Sequence, residues 1–219
     1  LHPDIVAVKR FLPGTRDRQV YFAVESSTHA GAYLVDAKSG KVIWKVNRED
    51  DPRWVHAHTG WASDIWEGSP GIEMLTNRDG HAGKDLVLFG ATGKILMNPF
   101  PRGWRPVNWT GGATRDLMSG AAAAIGRFDG KQVVPLPGVQ PNTAGKGNCN
   151  MVADLAGDYR DEIVCMADGK VLVLSNIDAA ASRSVTRPRS APGASPRLTT
   201  GTRMKRPPGV RASDSSSSA

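Results

Sequence analysis

The chain has only two cysteines in 219 residues, Cys149 and Cys165. They flank an acidic stretch, and a hairpin across it would bring them within bonding distance. Two small buried thiols explain them equally, so they do not fix the redox compartment. No run of about 18 apolar residues occurs, which excludes a membrane-spanning helix. No charged and apolar leader pattern opens the sequence, which is therefore silent on export. A basic folded surface is also lacking. The net charge is +7, but the segment from Ala179 to Ala219 holds eight Lys/Arg against one acid, Asp214, so the first 178 residues are net neutral. That tail contains no Phe, Tyr or Trp for bases to stack on, and nucleic acid is not expected as a partner.

What is present points to β structure. Alternating or apolar runs of strand length appear in "QVYFAVES", "GAYLVDA", "KVIWKVN", "DLVLFGA", "EIVCMAD" and "KVLVLSN", separated by turn signals rich in Gly, Asp and Lys. Only "RDLMSGAAAAIG" suggests a helical turn, and its glycines weaken it. Gly-Lys turns at Gly40-Lys41, Gly93-Lys94, Gly130-Lys131 and Gly169-Lys170 recur about 35 to 53 residues apart, the scale of propeller blades. About four blades fit in residues 1–178. The remaining 179–219 are rich in Ala, Ser, Pro and Arg with few large apolar groups. They are expected to be disordered, because little surface is available to offset the entropy of ordering. Their bias also resembles an out-of-frame reading of a GC-rich gene, with a genuine flexible linker as the alternative.

Five stretches carry chemistry. In "DLAGDYRDEIV" four acids lie within nine residues beside an apolar strand, an arrangement that repels unless something neutralises it. Calcium takes six to eight oxygens from carboxylates and carbonyls of a tight loop. With Asp154 at the first loop position, Asp158, the Arg160 carbonyl and Glu162 follow at alternate positions, and Gly157 allows the bend. Ala156 offers no ligand, so a water or another segment would substitute there, and a solvated acidic turn is the alternative. "SDIWEGSPGIEML" is a looser relative, with Asp64 and Glu73 as candidate ligands or as parts of an ordinary polar loop. "WVHAHTGWASD" carries His56 and His58, which would share one side of a strand and suit zinc or proton transfer. No third ligand of that type stands nearby in sequence, so hydrogen-bonded histidines are the simpler account. Arg105 and Lys146 occupy Gly/Asn/Pro-rich loops of the kind that carry binding groups, although each taken alone reads as a solvated cation. The six tryptophans suit either sugar stacking or propeller core.

On "SDIWEGSPGIEML", "NWTGGATRDLMSG" and "GKGNCNMVADLAGDYRDEIVCMADGKVLVLSN", the chain resembles the rhamnogalacturonan lyases of polysaccharide lyase family 11. The resemblance covers about residues 30 to 177. It implies an all-β fold, here a partial β-propeller of about four blades from an eight-bladed ring. It also implies bound calcium, a secreted or periplasmic location, an acidic polysaccharide substrate and a monomer when complete. Asp154, Asp158 and Glu162 are implied to hold calcium and Asp64 and Glu73 another ion, while Lys146 and Arg105 line the cleft. β-Elimination needs a cation to neutralise the uronate carboxylate, for which Arg105, Lys146 or calcium would serve. It also needs a base, for which Lys146 and His58 compete. The chain departs from the family pattern at Thr110 and Gly112, where acids are expected, leaving Asp116 alone of that cluster. A non-catalytic calcium-bound module of the FG-GAP type is the alternative function. "DAKSGKVIWKV" also suggests quinone-dependent dehydrogenases, but no residues for a cofactor pocket accompany it.

Overall fold

Among the described residues the strands group in chain order into three sheets of four and one of three, each an antiparallel meander. The computed structural model describes residues 2–26, 28–119, 124–136, 149–167 and 170–176. Lys146 and the proposed tail, 179–219, lie outside them. The first sheet holds β1 (His2–Lys9), β2 (Gln19–Glu25), β3 (Gly31–Asp36) and β4 (Val42–Asn47). The second holds β5 (Gly60–Ser63), β6 (Glu73–Asn77), β7 (Leu86–Phe89) and β8 (Ile95–Met97). The third holds β9 (Trp104–Val107), β10 (Asp116–Ser119), β11 (Ile125–Phe128) and β12 (Val133–Pro135). The fourth has three strands, β13 (Cys149–Ala153), β14 (Glu162–Ala167) and β15 (Lys170–Leu174). The first strand of one sheet lies against the first strand of the next, β1 on β5 and β5 on β9.

The pleat explains how the sheets stack. Successive side chains of a strand point to opposite faces, so a strand covered on both sides must be apolar throughout. In β7, Val87 and Phe89 enter a core shared with Phe11, Tyr21 and Leu34 of the first sheet and its loops. Leu86 and Leu88 enter a second core with Leu117 and Phe128 of the third sheet. Met118 and Ile125 then meet Ile163 and Cys165 of the fourth sheet in a third core. Each fully buried Leu or Phe contributes about 1.5–3 kcal/mol. Among the described residues the outward faces of the first and fourth sheets have no such cover, and Val6, Val8, Met166, Val171 and Val173 stay exposed, Val171 to 63%.

Two expectations change. Residues 116–119 and 125–128 of "RDLMSGAAAAIG" and its continuation are strand, not a helical turn, because Leu117 and Met118 each face a different core. The Gly-Lys turns also prove to be unequal. Three join the third and fourth strands of their sheets, whereas the last falls between β14 and β15, the second and third strands of the fourth sheet. The cysteines behave as a hairpin allows: Cys149 stands opposite Cys165 in the register, and Cys165 is disulfide-bonded.

A different repeat is common to all four sheets. The residue opening each second strand is polar yet buried: Gln19, Glu73, Asp116 and Glu162. Each one accepts hydrogen bonds from backbone N–H groups of the loop just before it. Gln19 Oε1 takes Phe11 N–H at 2.8 Å, and Glu73 Oε2 takes Ile65 N–H at 2.8 Å. Asp116 Oδ2 takes Thr110 N–H at 2.8 Å, and Glu162 Oε2 takes Leu155 and Ala156 N–H at 2.7 and 3.1 Å. Donors that would otherwise be unsatisfied under the sheet are thereby paired.

Candidate functional site

The acidic loop that joins β13 to β14 relieves its own repulsion. Asp154 accepts N–H groups of Gly157, Asp158 and Tyr159 at 2.6 to 3.1 Å. Asp158 pairs with the Arg160 side chain, which holds its carboxyl below the usual range. Asp161 Oδ2 accepts Asn108 N–H at 2.6 Å. Glu162 is spent on the loop backbone as described above. Asp116, buried beside Thr110, pairs with Arg127 Nε at 2.7 Å. Among the described residues, the convergent groups of three or more His, Asp or Glu lie elsewhere.

The Asp64–Glu73 pair is less well satisfied. Glu73 is 0% exposed, and its Oε1 is buried without a hydrogen bond. Burial, with a smaller contribution from the nearby Asp64 charge, pushes the Glu73 carboxyl up to about 7. Asp64 is itself raised by desolvation and by Glu67. A buried carboxyl with an idle oxygen wants either a proton or a cation.

Two of the expected catalytic residues come together. A cavity of about 480 Å³ is lined by His58, Trp61, His81, Arg102, Trp104 and Arg105, with glycines at the turns between them. Arg105 sits on β9 opposite Met118 and is exposed. Neither Arg102 nor Arg105 has a carboxylate partner among the described residues, so both present open positive charge to the cavity. Trp61 donates from Nε1 to Trp104 O at 3.0 Å, which fixes one ring edge. All six tryptophans are packed in part or in full: Trp54 and Trp109 are buried, Trp44 lies on Phe89, Trp66 on Phe128, and Trp61 and Trp104 rest on the core that contains Phe100.

Beside this cavity stands a cluster the sequence did not disclose. His56 and His58 do not lie in a strand; an isolated parallel bridge joins His56 to Asp79 instead. The short 3-10 turn Gly80–Ala82 then carries His81 to them, supplying the third imidazole missing from the local sequence. On the other side, β1 and β2 bring His2, Asp4 and Glu25 together. His58 Nδ1 contacts Asp4, and His56 Nε2 lies 2.9 Å from Glu25 Oε1. The "DGHAG" glycines were the available signal for the turn, since Gly80 adopts φ 61° and Gly83 φ 56°. Asn77, buried at the end of β6, is the clamp. Its Oδ1 accepts His58 and Thr59 N–H at 3.0 and 2.8 Å, and its Nδ2 donates to Gly80 O at 2.5 Å. Asn77→Ala is expected to cost about 1–2 kcal/mol through unpaired backbone donors. It is also expected to loosen the histidines, visible as a lower Tm and broadened imidazole NMR signals.

An all-β stack presenting two free arginines and two tryptophans in one cavity is the kind of site that takes an anionic carbohydrate. Residues 1–186 match the family described as rhamnogalacturonan lyase family 11, C-terminal domain, and the chain belongs to that family. It is 25% identical over 177 residues to the Bacillus subtilis (strain 168) rhamnogalacturonan exolyase YesX, covering 74% of this chain and 28% of that protein. It is 26% identical over 171 residues to the rhamnogalacturonan endolyase YesW of the same organism, covering 74% and 25%. Among solved structures, the Bacillus licheniformis rhamnogalacturonan lyase PL11 superposes with a TM-score of 0.61 at 25% identity, over 81% of this chain and 30% of that one. The chain thus spans between a quarter and a third of the length of the relatives it matches. No helix among the described residues is long and apolar enough to cross a membrane.

Proposed function

We propose that this chain forms part of a lyase that cleaves a rhamnose–uronate backbone by β-elimination. The supporting observation is the cavity in which Arg105, Arg102 and His58 converge between Trp61 and Trp104. In this reading, Arg105 pairs with the uronate carboxylate, and the tryptophan faces meet the apolar C–H patches of the sugars. A base removes the proton on the carbon bearing the carboxylate. The electron pair forms the ring double bond and expels the glycosidic oxygen of the neighbouring residue, which leaves with a proton. Lys146 is the proposed base, and His58, which lines the same cavity, is the competing candidate.

Calcium belongs to the proposal at two places. Asp154, Asp158, Glu162 and the Arg160 carbonyl would supply the all-oxygen donor set calcium prefers, once Asp158 releases Arg160 and Asp154 and Glu162 turn from the loop N–H groups they accept. At Asp64 and Glu73 the idle buried oxygen of Glu73 favours a cation more directly. When bound, calcium would brace these loops. The sheets themselves are proposed to be propeller blades, because their first strands abut and each pair of neighbours shares a core. The exposed Val6, Val8, Val171 and Val173 faces would pack on further blades. An extracellular or periplasmic setting and a monomeric state accompany this reading.

The test is incubation with rhamnogalacturonan while following the ultraviolet absorbance of the unsaturated uronate product. Rising absorbance that is lost in Lys146→Ala and kept in His58→Ala supports Lys146 as base, and the reverse result assigns the base to His58. No absorbance change from the wild-type chain, with calcium present, removes the proposal for this chain.

A further inference from the structure

We propose that His56, His58 and His81 form a site for a borderline transition-metal dication, with zinc as the model ion. The site is distinct from any calcium that the carboxylates hold. Ligand atoms of the three side chains lie within 4.8 Å of one another, and the ring centroids are 5.4, 5.0 and 4.5 Å apart. A tetrahedral zinc with bonds of about 2.0–2.1 Å sets its donors roughly 3.3 Å apart. Modest ring rotations would therefore close the group on an ion.

The donor type selects the metal. Calcium is hard and takes oxygens, whereas neutral imidazole nitrogen suits zinc, copper or nickel. Three further features fit a metal centre. His56 Nε2 is buried and makes no hydrogen bond, yet Glu25 Oε1 lies 2.9 Å away, the separation of two ligands on one ion. His58 turns Nδ1 to Asp4, which leaves Nε2 for a metal, as in the carboxylate–histidine–metal triads of known sites. The backbone is also fixed before any ion arrives. Asn77 holds the His58 segment and the turn together, and Gly80 N–H donates to His56 O at 2.8 Å. A Cβ on Gly80 would stand 3.1 Å from His56 Cβ, so a glycine is needed for the turn to come this close.

His58 and His81 also line the Arg105 cavity, so an ion here faces the space available to a ligand. An occupied site uses the His58 lone pair and leaves proton abstraction to Lys146. The inference itself does not depend on the lyase reading.

The experiment is calorimetric titration of the chelator-treated 219-residue chain with zinc chloride in excess calcium, together with visible spectra on adding cobalt(II). The expected result is one tight zinc per chain that calcium does not displace, with the intense absorption of four-coordinate cobalt. His58→Ala and His81→Ala should each weaken zinc at least about 10-fold, and His29→Ala, outside the cluster, should not. Circular dichroism checks folding, and His81→Gln replaces His81→Ala if that variant misfolds. Absence of stoichiometric zinc uptake by the wild-type chain overturns the proposal. So does displacement by calcium, or unchanged affinity in the folded His81 variant.

Discussion

Arg105→Ala is expected to lower the rate of unsaturated-product formation by about 10²- to 10³-fold, the usual effect of losing one preorganised group that meets developing charge. The stability of the chain should barely change. Arg105 is exposed and has no carboxylate partner among the described residues, and substitutions at such sites usually stay within about 0.5 kcal/mol. A large loss of rate with an unchanged melt therefore separates a role toward substrate from a role in folding. Arg105→Lys should recover part of the rate, because it keeps the charge but loses the planar fork that grips a carboxylate with two bonds. An Arg105→Ala chain that turns over normally would move carboxylate recognition to Arg102, the other open cation in the cavity.

Glu73→Gln is expected to flatten the pH dependence of stability between about pH 4.5 and 7. Burial raises the Glu73 carboxyl from 4.5 to about 7 in the fold. Below pH 4.5 both folded and unfolded chains hold the proton, and the full contribution is present. As pH rises toward 7 the unfolded chain ionises first, so stability falls; above 7 the folded carboxyl also ionises and the loss levels off. A shift of this size corresponds to about 3 kcal/mol. Asp51 runs the other way: the Arg53 side chain helps hold its carboxyl at about 2, so its contribution is lost only in strong acid. Urea melts of wild-type and Glu73→Gln chains from pH 4 to 8 isolate the Glu73 effect by difference. Calcium enters the same experiment. An ion on Asp64 and Glu73 would favour the ionised carboxyl and raise wild-type stability at pH 8 by more than that of the glutamine variant, which keeps only the Asp154 loop as a calcium site. Equal responses of the two chains to calcium would place no ion there.

Much of the fold was legible because strands advertise themselves through a period of two and through turns. "DLVLF" announced a strand, and the structure adds that it is covered on both faces, with Val87 and Leu88 in different cores. The Gly-Lys turns gave the correct scale but shifted by one strand in the last sheet, since a turn sequence marks a corner without saying which corner. The acids were noticed, yet their chemistry was not decidable from spacing. A carboxylate that caps loop N–H groups and one that binds an ion look alike along the chain, and Asp116 and Glu162 do the former in this structure. Asp4, Glu25 and His81 were missed for a different reason. They meet His56 and His58 through the β1–β2 register, which no local pattern encodes, and through the Gly80–Ala82 turn, whose glycines signal a turn but not what it brings together.

The four buried residues that open the second strands are not chemically equivalent. Gln19 carries an amide, which can hold its loop but never lose a proton, while Glu73, Asp116 and Glu162 carry acids. The joint of the first sheet is thus held by a neutral group at any acidity, whereas that of the second rests on a carboxyl that burial raises to about 7, so one mechanical role is filled in adjacent layers by a fixed group and by one that changes charge near neutrality.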